Sequence, residues 1–333
     1  MSDDRLSRDE RWMAAALALA ERGRGRTAPN PNVGCVIVRD GRVVGRGWTQ
    51  PGGRPHAEAA ALAQAGEKSR GATVYVTLEP CAHASPRGPA CAGLLIAAGV
   101  ARVVAAIRDP DSRTDGAGFA RLGDAGIAVE TGVGAEAAWR SMAGFLTRRA
   151  LGRPHVTLKL GLSLDGATAT ASGQSRWITG AEARAHAHLE RSRHETILVG
   201  RATWEADAPA LDVRLAGLEE RSPRRAILSS RPGPVGGQGD NVIRLSAPQD
   251  VATLAGDHLL VEGGAATAAA FLAADLVDRL LLYRAPILIG GGRTLPDIGL
   301  TDLAAAHGRW RLHDARTLGS DRLEVYERVR EPA

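Results

Sequence analysis

His56-Ala57-Glu58-Ala59-Ala60-Ala61-Leu62 and Thr77-Leu78-Glu79-Pro80-Cys81-Ala82-His83 are the two stretches on which the reading of this chain turns. The first puts a histidine at the head of an alanine-rich helix expected over about 57–64. The second ends a strand, 72–78, in a Pro-Cys corner and opens a turn-rich segment that runs to Cys91, where another helix is expected at about 92–98. Upstream, Trp12, Ala15, Ala16, Leu19 and Ala20 recur at helical spacing and predict a helix over about 8–22. The turn Pro29-Asn30-Pro31-Asn32 leads into a strand at 34–39, and Asp40-Gly41 turns it back as a hairpin with 42–48. Strands at 102–106 and near 127–130 follow. The order α-β-β-α-β-α-β, with later strands joined by helices, predicts a layered α/β sheet.

The 333 residues are too many for one ordinary domain and, at roughly 150 per domain, suggest two. A polar, basic stretch, Leu146-Thr147-Arg148-Arg149-Ala150-Leu151-Gly152-Arg153, ends at Pro154 and marks the expected boundary, giving domains 1–147 and 153–333. The second half opens on a strand at 155–160. Further strands are expected at 196–199, 225–228, 241–245, 258–261, 279–283 and 323–327, a second α/β sheet with no repeat of the first. Apolar residues at 44% and charged residues at 24% fit a globular protein and exclude disorder. Charges interrupt every apolar run short of the ~20 residues a spanning helix needs, so no membrane partner is expected. The polar start, Met1-Ser2-Asp3-Asp4-Arg5, shows no signal peptide, and a cytoplasmic enzyme is the expectation. A net charge of +5 and a pI near 9.6 raise nucleic acid as a partner. The arginines are scattered among acids, however, and only Lys68 and Lys159 are lysines. Composition bias accounts for the charge, and no nucleic-acid partner is expected.

Three cysteines are too few for a disulfide framework. Cys35 lies in the apolar run Val33–Val38 and reads as a buried, inert thiol. His56, Cys81 and Cys91 together can give Zn²⁺ three protein ligands and leave the fourth position for water, the pattern of a catalytic site. With Glu58, this set resembles the His-x-Glu…Pro-Cys-x-x-Cys signature of zinc-dependent nucleobase deaminases. That resemblance implies one Zn²⁺ per deaminase domain on His56, Cys81 and Cys91, with Glu58 as the catalytic proton shuttle. The gap between the cysteines is nine residues here rather than two. Together with Pro29-Asn30-Pro31-Asn32-Val33-Gly34-Cys35-Val36 and the two opening stretches, the long gap resembles one branch, the bifunctional riboflavin-biosynthesis deaminase/reductase family. In that family the first domain is a cytidine-deaminase-like three-layer αβα fold, and Asn30 and His83 correspond to pyrimidine contacts. Its segment between the cysteines carries residues that read the substrate. Ser85-Pro86-Arg87-Gly88-Pro89-Ala90-Cys91 is one residue longer than the family pattern and lacks its threonine, with Arg87 the candidate for the substrate phosphate.

The resemblance extends through the second half. It rests on Leu158-Lys159-Leu160-Gly161-Leu162-Ser163-Leu164-Asp165-Gly166, Ser175-Arg176-Trp177-Ile178-Thr179, Ala206-Asp207-Ala208-Pro209-Ala210-Leu211 and Val261-Glu262-Gly263-Gly264. It implies a dihydrofolate-reductase-like α/β domain that binds NADPH. By the same resemblance the cofactor contacts are Gly161, Trp177, Thr203, Asp207, Ser230, Gly264, Ala265, Ala266, Thr267, Ala268, Ala269 and Ala270. The implied substrate contacts are Ser175, Arg191, Leu211, Arg214 and Glu262. A Gly-Gly pair between a strand and a helix suits a phosphate at the helix start, though a tight turn reads the same way. Arg191 and Arg214 could clamp a phosphate bidentately or be solvated charges. Lys159, between Leu158 and Leu160, fits either a contact to the ribose or an edge-strand charge. Gly132-Val133-Gly134 and Gly23-Arg24-Gly25 read as turn glycines, and Gly290-Gly291-Gly292 as a loop.

The implied activity is hydrolytic removal of the 2-amino group of a diaminopyrimidinone carrying a ribosylamino 5-phosphate. Reduction of the ribosyl group by NADPH would follow, giving 5-amino-6-(5-phosphoribitylamino)uracil. The partner is therefore a phosphorylated small molecule, and a homo-oligomer, dimer or tetramer, is expected. The rival is an RNA deaminase with an RNA-binding second half, which the absence of a basic stripe interleaved with aromatics disfavours.

Overall fold

The computed structural model describes residues 2–231 and 241–330. Contacts divide the chain into two compact units, 1–151 and 152–333. In the first, α1 (Ser2–Ala20) precedes the hairpin β1 (Gly34–Arg39) and β2 (Arg42–Trp48), then α2 (Ala57–Ala65), β3 (Thr73–Val76), α3 (Cys91–Ala98), β4 (Arg102–Ala105), α4 (Ala117–Asp124), β5 (Ala128–Thr131), α5 (Ala135–Ser141) and α6 (Ala143–Leu151). The strand order is β2-β1-β3-β4-β5, antiparallel across β2-β1-β3 and parallel from β3 to β5.

Glycines set how closely the helices sit. A methyl on Gly34 would collide with the Ala16 carbonyl of α1, and one on Gly47 with the Ala57 carbonyl of α2. Gly47 pairs with Cys35, the neighbour of Gly34, so α1 and α2 cover opposite faces of the sheet. This is the three-layer arrangement, and its core runs from Met13 through Ile37, Val74 and Val103 to Met142.

The stretch read as the domain boundary includes the end of α6, whose Arg148 and Arg149 suit the negative end of a helix. No pattern of residues announces α4. It holds Gly118 and Gly123, each costing about 1 kcal/mol relative to alanine.

The second unit contains β6 (His155–Leu162), α7 (Ala181–Arg191), β7 (Thr196–Gly200), α8 (Arg201–Asp207), β8 (Arg224–Leu228), β9 (Val242–Leu245), β10 (His258–Val261), α9 (Ala265–Ala273), β11 (Arg279–Arg284), β12 (Trp310–Leu318) and β13 (Asp321–Arg328). Its eight strands lie in the order β12-β13-β11-β6-β10-β7-β8-β9. From β11 to β9 they are parallel; β13 and β12 add an antiparallel ribbon. β12 lacked a signal because it is mostly exposed and carries no alternation; only pairing with β13 makes it a strand. β10 slots between β6 and β7, so the chain moves away from β6 to one side and later returns to its other side at β11. Such a reversal leaves a crevice at the carboxyl ends of the central strands.

Candidate active sites

α2 starts at Ala57 with His56 as its N-cap residue, and α3 starts at Cys91. β3 runs on through Glu79-Pro80 to Cys81. These three ends converge. His56 Nδ1 lies 3.7 Å from Cys81 Sγ and 3.4 Å from Cys91 Sγ, and the Cys91 N–H donates to Cys81 Sγ at 3.3 Å. Bonds of about 2.3 Å to sulfur and about 2.0 Å to nitrogen space the ligand atoms of a tetrahedral zinc by roughly 3.5–3.8 Å, so the trio fits that ion as it stands. Among the described residues this is the one such grouping. The Cys81 thiol is held well below its ordinary range, chiefly by its hydrogen bond with Cys91, whose own thiol that bond and burial push up. A dication held by the trio would supply the charge that ionises both. Cys35 stands outside the trio, and burial pushes its thiol up.

Glu58, one residue into α2, is 3% exposed. Burial pushes its carboxyl up to about 7 against the lowering pull of His56. Asn30 places its amide 2.8 Å from His56 Nε2. With Nδ1 committed to a metal the proton sits on Nε2, so the amide oxygen belongs on that side; amide O and N are assigned by such networks. The expected pyrimidine contact Asn30 is thus also the orienting partner of the ligand His56. His83 Nδ1 lies 3.3 Å from Thr114 Oγ1. The Arg87 guanidinium donates to the Gly52 carbonyl, and Arg54 reaches back to Ser85 Oγ at 3.3 Å and the Pro89 carbonyl at 3.4 Å. The segment between the cysteines is therefore clasped from both sides. Thr114 and Arg54 went unread in the sequence, since no fixed spacing links them to the metal ligands.

In the second unit Gly161, Thr203, Ser230 and Gly264 all sit at or just beyond the carboxyl ends of β6, β7, β8 and β10. Gly264 is the extended N-cap of α9, leaving the N–H groups of Ala265, Ala266 and Thr267 for an anion. A methyl on Gly200 or Gly263 would strike the Thr267 side chain, so the strand ends and the helix start meet with no room to spare. This cradle fits a dinucleotide phosphate. Ala268 and Ala269 face the core and offer a ligand no side chain; Ala270 lies one residue further along α9. Trp177 is 65% exposed, its ring flanked by the guanidinium groups of Arg184 and Arg176 at 4.9 and 5.8 Å. Asp207 pairs with Arg176 at 3.4 Å, and Ser175 and Ser230 are exposed.

Two of the expected substrate contacts are also held by partners within the protein. Arg191 grips Glu262 through Nε and Nη2 at 2.7 and 2.9 Å and donates to the Asp212 carbonyl at 3.0 Å. Leu211 packs with Ile197, Trp204 and Leu260 in a small core, 4% exposed. Glu262 also has Lys159 Nζ at 3.8 Å. Burial alone would raise its carboxyl, yet Lys159 and Arg191 hold it at about 2. Arg214, its side chain 63% exposed, pairs with Asp212 at 3.3 Å.

Two family descriptions match this chain: the cytidine and deoxycytidylate deaminase zinc-binding region over residues 6–107, and the RibD C-terminal domain over 154–323. The chain is similar to the riboflavin biosynthesis protein RibD of Escherichia coli (strain K12), 43% identical over 94% of this chain and 97% of that protein. It is also similar to two solved structures. One is Acinetobacter baumannii RibD, 37% identical with a TM-score of 0.85 over 98% of this chain and all of that one. The other is a diaminohydroxyphosphoribosylaminopyrimidine deaminase/5-amino-6-(5-phosphoribosylamino)uracil reductase from Thermotoga maritima, 29% identical with a TM-score of 0.86 over the same shares.

Proposed function

The chain belongs to the RibD family of riboflavin biosynthesis, and from that premise we propose how its residues divide two reactions between two sites. It is a bifunctional enzyme: a zinc-dependent deaminase with a cytidine-deaminase-like fold, followed by an NADPH-dependent reductase with a dihydrofolate-reductase-like fold. Its substrate is the 5'-phosphate of 2,5-diamino-6-ribosylamino-4(3H)-pyrimidinone, deaminated first and then reduced to 5-amino-6-(5-phosphoribitylamino)uracil. The convergence of His56, Cys81 and Cys91 beside a buried Glu58 carries this reading.

Zinc held by His56, Cys81 and Cys91 supplies Lewis acidity and a water that ionises near neutral pH. Glu58 carries one proton of the attacking water to the ring nitrogen and then the other to the amino group, which leaves as ammonia. Asn30 keeps His56 oriented through Nε2, while His83 and Arg87 read the pyrimidine and its phosphate. In the reductase, NADPH supplies the hydride. The α9 start with Gly264 to Thr267, together with Thr203, Ser230 and Gly161, cradles the dinucleotide, with Trp177 and Asp207 at its flank. Lys159 and Glu262 face the ribosyl chain, Arg191 fixes Glu262, and Ser175 and Arg214 hold the phosphate end. Positioning supplies most of the rate, because the open-chain sugar is already electrophilic.

The partner is a small molecule rather than nucleic acid. No described helix is long and apolar enough to cross a membrane. We place the enzyme in the cytoplasm, which three free cysteines favour, and as a homo-oligomer, for which the exposed edge strand β12 offers a pairing surface. Glu58→Gln keeps shape and ligands but removes the shuttle. Ammonia release should fall by at least ~10², while reduction of supplied deaminated substrate stays at the wild-type rate. Equal loss of both activities would sink the two-site assignment.

A further inference from the structure

Glu79 precedes the Pro-Cys corner, is 2% exposed and stands outside the metal-ligating trio. Its carboxylate accepts four backbone N–H bonds. Oε2 takes those of Asp109 at 3.2 Å and Gly116 at 3.0 Å, and Oε1 takes those of Gly118 at 2.9 Å and Phe119 at 3.2 Å. One side chain therefore ties down both ends of the 109–116 loop and caps α4, whose first turn has no local capping side chain. The fit is close, since a methyl on Gly118 would strike the Pro80 carbonyl.

The loop and helix fixed in this way return to the residues just after Cys81. Thr114 Oγ1 lies 3.3 Å from His83 Nδ1 and 3.5 Å from the Ala82 N–H, and the Arg121 guanidinium of α4 donates to the Ala82 carbonyl. A closed ring of contacts results. Glu79 holds the loop and α4, these hold Ala82 and His83, and His83 stands four residues from Glu79 on the same chain. We propose that Glu79 is a positioning residue for deamination, setting His83 against the pyrimidine through Thr114 and Arg121. This rests on reading His83 as a pyrimidine contact.

The test compares His83→Ala, Thr114→Val and Glu79→Gln in the full-length zinc enzyme, measuring kcat and KM for ammonia release, zinc content and NADPH-dependent reduction. Thr114→Val keeps the shape of a 1%-exposed side chain and removes only the hydroxyl. It should raise the deamination KM about tenfold, the worth of one well-placed hydrogen bond, with kcat within about threefold of wild type and zinc retained. Thr114→Ser should restore the KM. Glu79→Gln puts an amide NH₂ against N–H groups that need an acceptor, so it should raise the KM at least as much, again with zinc kept and reduction unchanged. A wild-type KM in His83→Ala would overturn the reading of His83 itself. A raised KM there with a wild-type KM in Thr114→Val would overturn the role of Glu79 alone, as would zinc loss or an equal fall of kcat in Glu79→Gln.

Discussion

A buried carboxylate between two cations is held by charge rather than by size, and Glu262 is such a case. Burial works against its ionised form, while Lys159 and Arg191 favour it strongly enough to hold the carboxyl at about 2. A depressed carboxyl contributes stability that is present above its ordinary value of 4.5 and fades only as pH falls through about 2. The wild type should therefore keep this contribution across the working range. Arg191→Ala leaves the buried charge opposed by Lys159 alone. We expect a loss of about 3–5 kcal/mol near neutrality, as when one partner of a buried pair is removed. The loss should shrink as pH is lowered toward about 5, because the carboxyl has then moved up and protonation removes the stranded charge. Calorimetry of the variant between about pH 5 and pH 8 decides it; a deficit independent of pH would assign Arg191 a packing role only. The cysteines make a second residue-scale case. Cys35→Ser should keep one zinc per chain and Cys81→Ser should lose it, since only the latter thiol lies within reach of His56. Equal zinc loss from both would break the ligand set.

At the scale of elements, glycines decide where two backbones may touch. Gly263 lies at the turn from β10 into α9, and an added methyl there meets Thr267. Gly263→Ala should push the helix start away from the strand, at the 1–3 kcal/mol typical of an overpacked site. If the first turn of α9 holds the cofactor phosphates, that shift should weaken NADPH binding by about tenfold or more in a fluorescence titration, leaving deamination alone. Unchanged NADPH affinity would remove α9 from the cofactor site. The same elements mark what the sequence could tell. Strands bounded by turns, such as Gly34–Arg39 and His258–Val261, were legible because apolar runs end at Asp-Gly or Gly-Gly. The helix α4 was not, because what makes it a helix is a carboxylate 38 residues away in sequence from its start at Ala117, capping its first turn. The metal ligands were legible because His, Cys and Cys are rare residues in one order. Arg191 was half legible: its place late in α7 was expected, but its partner Glu262 lies 71 residues on, and no periodicity announces an ion pair. Leu211 is read as a substrate contact through likeness alone, and no periodicity announces its packing with Ile197, Trp204 and Leu260.

For the whole molecule the question is how far the two units depend on the metal that only one of them holds. The zinc ligands come from two helix starts and one strand exit, and the first unit surrounds them with an apolar core contributed by all three layers. That core does not use the metal as a substitute for hydrophobic burial, unlike small domains that unfold without zinc. Zinc binding should add to the stability of the first unit by linkage without being the condition for its folding. Treating the enzyme with a strong chelator near pH 7 should therefore abolish ammonia release and lower the first unit's melting temperature, while the far-ultraviolet circular dichroism at room temperature stays as it was. Reduction of supplied deaminated substrate by NADPH should proceed at the rate of the untreated enzyme, because the cofactor cradle and the Lys159–Glu262–Arg191 group belong wholly to the second unit. Restoring Zn²⁺ should recover ammonia release in full, and Cys91→Ser treated alongside should not respond to the added metal. If chelation unfolded the first unit outright, the metal would be structural as well as catalytic. If it removed reduction together with deamination, the second site would depend on the first in a way that two separately built sites do not allow.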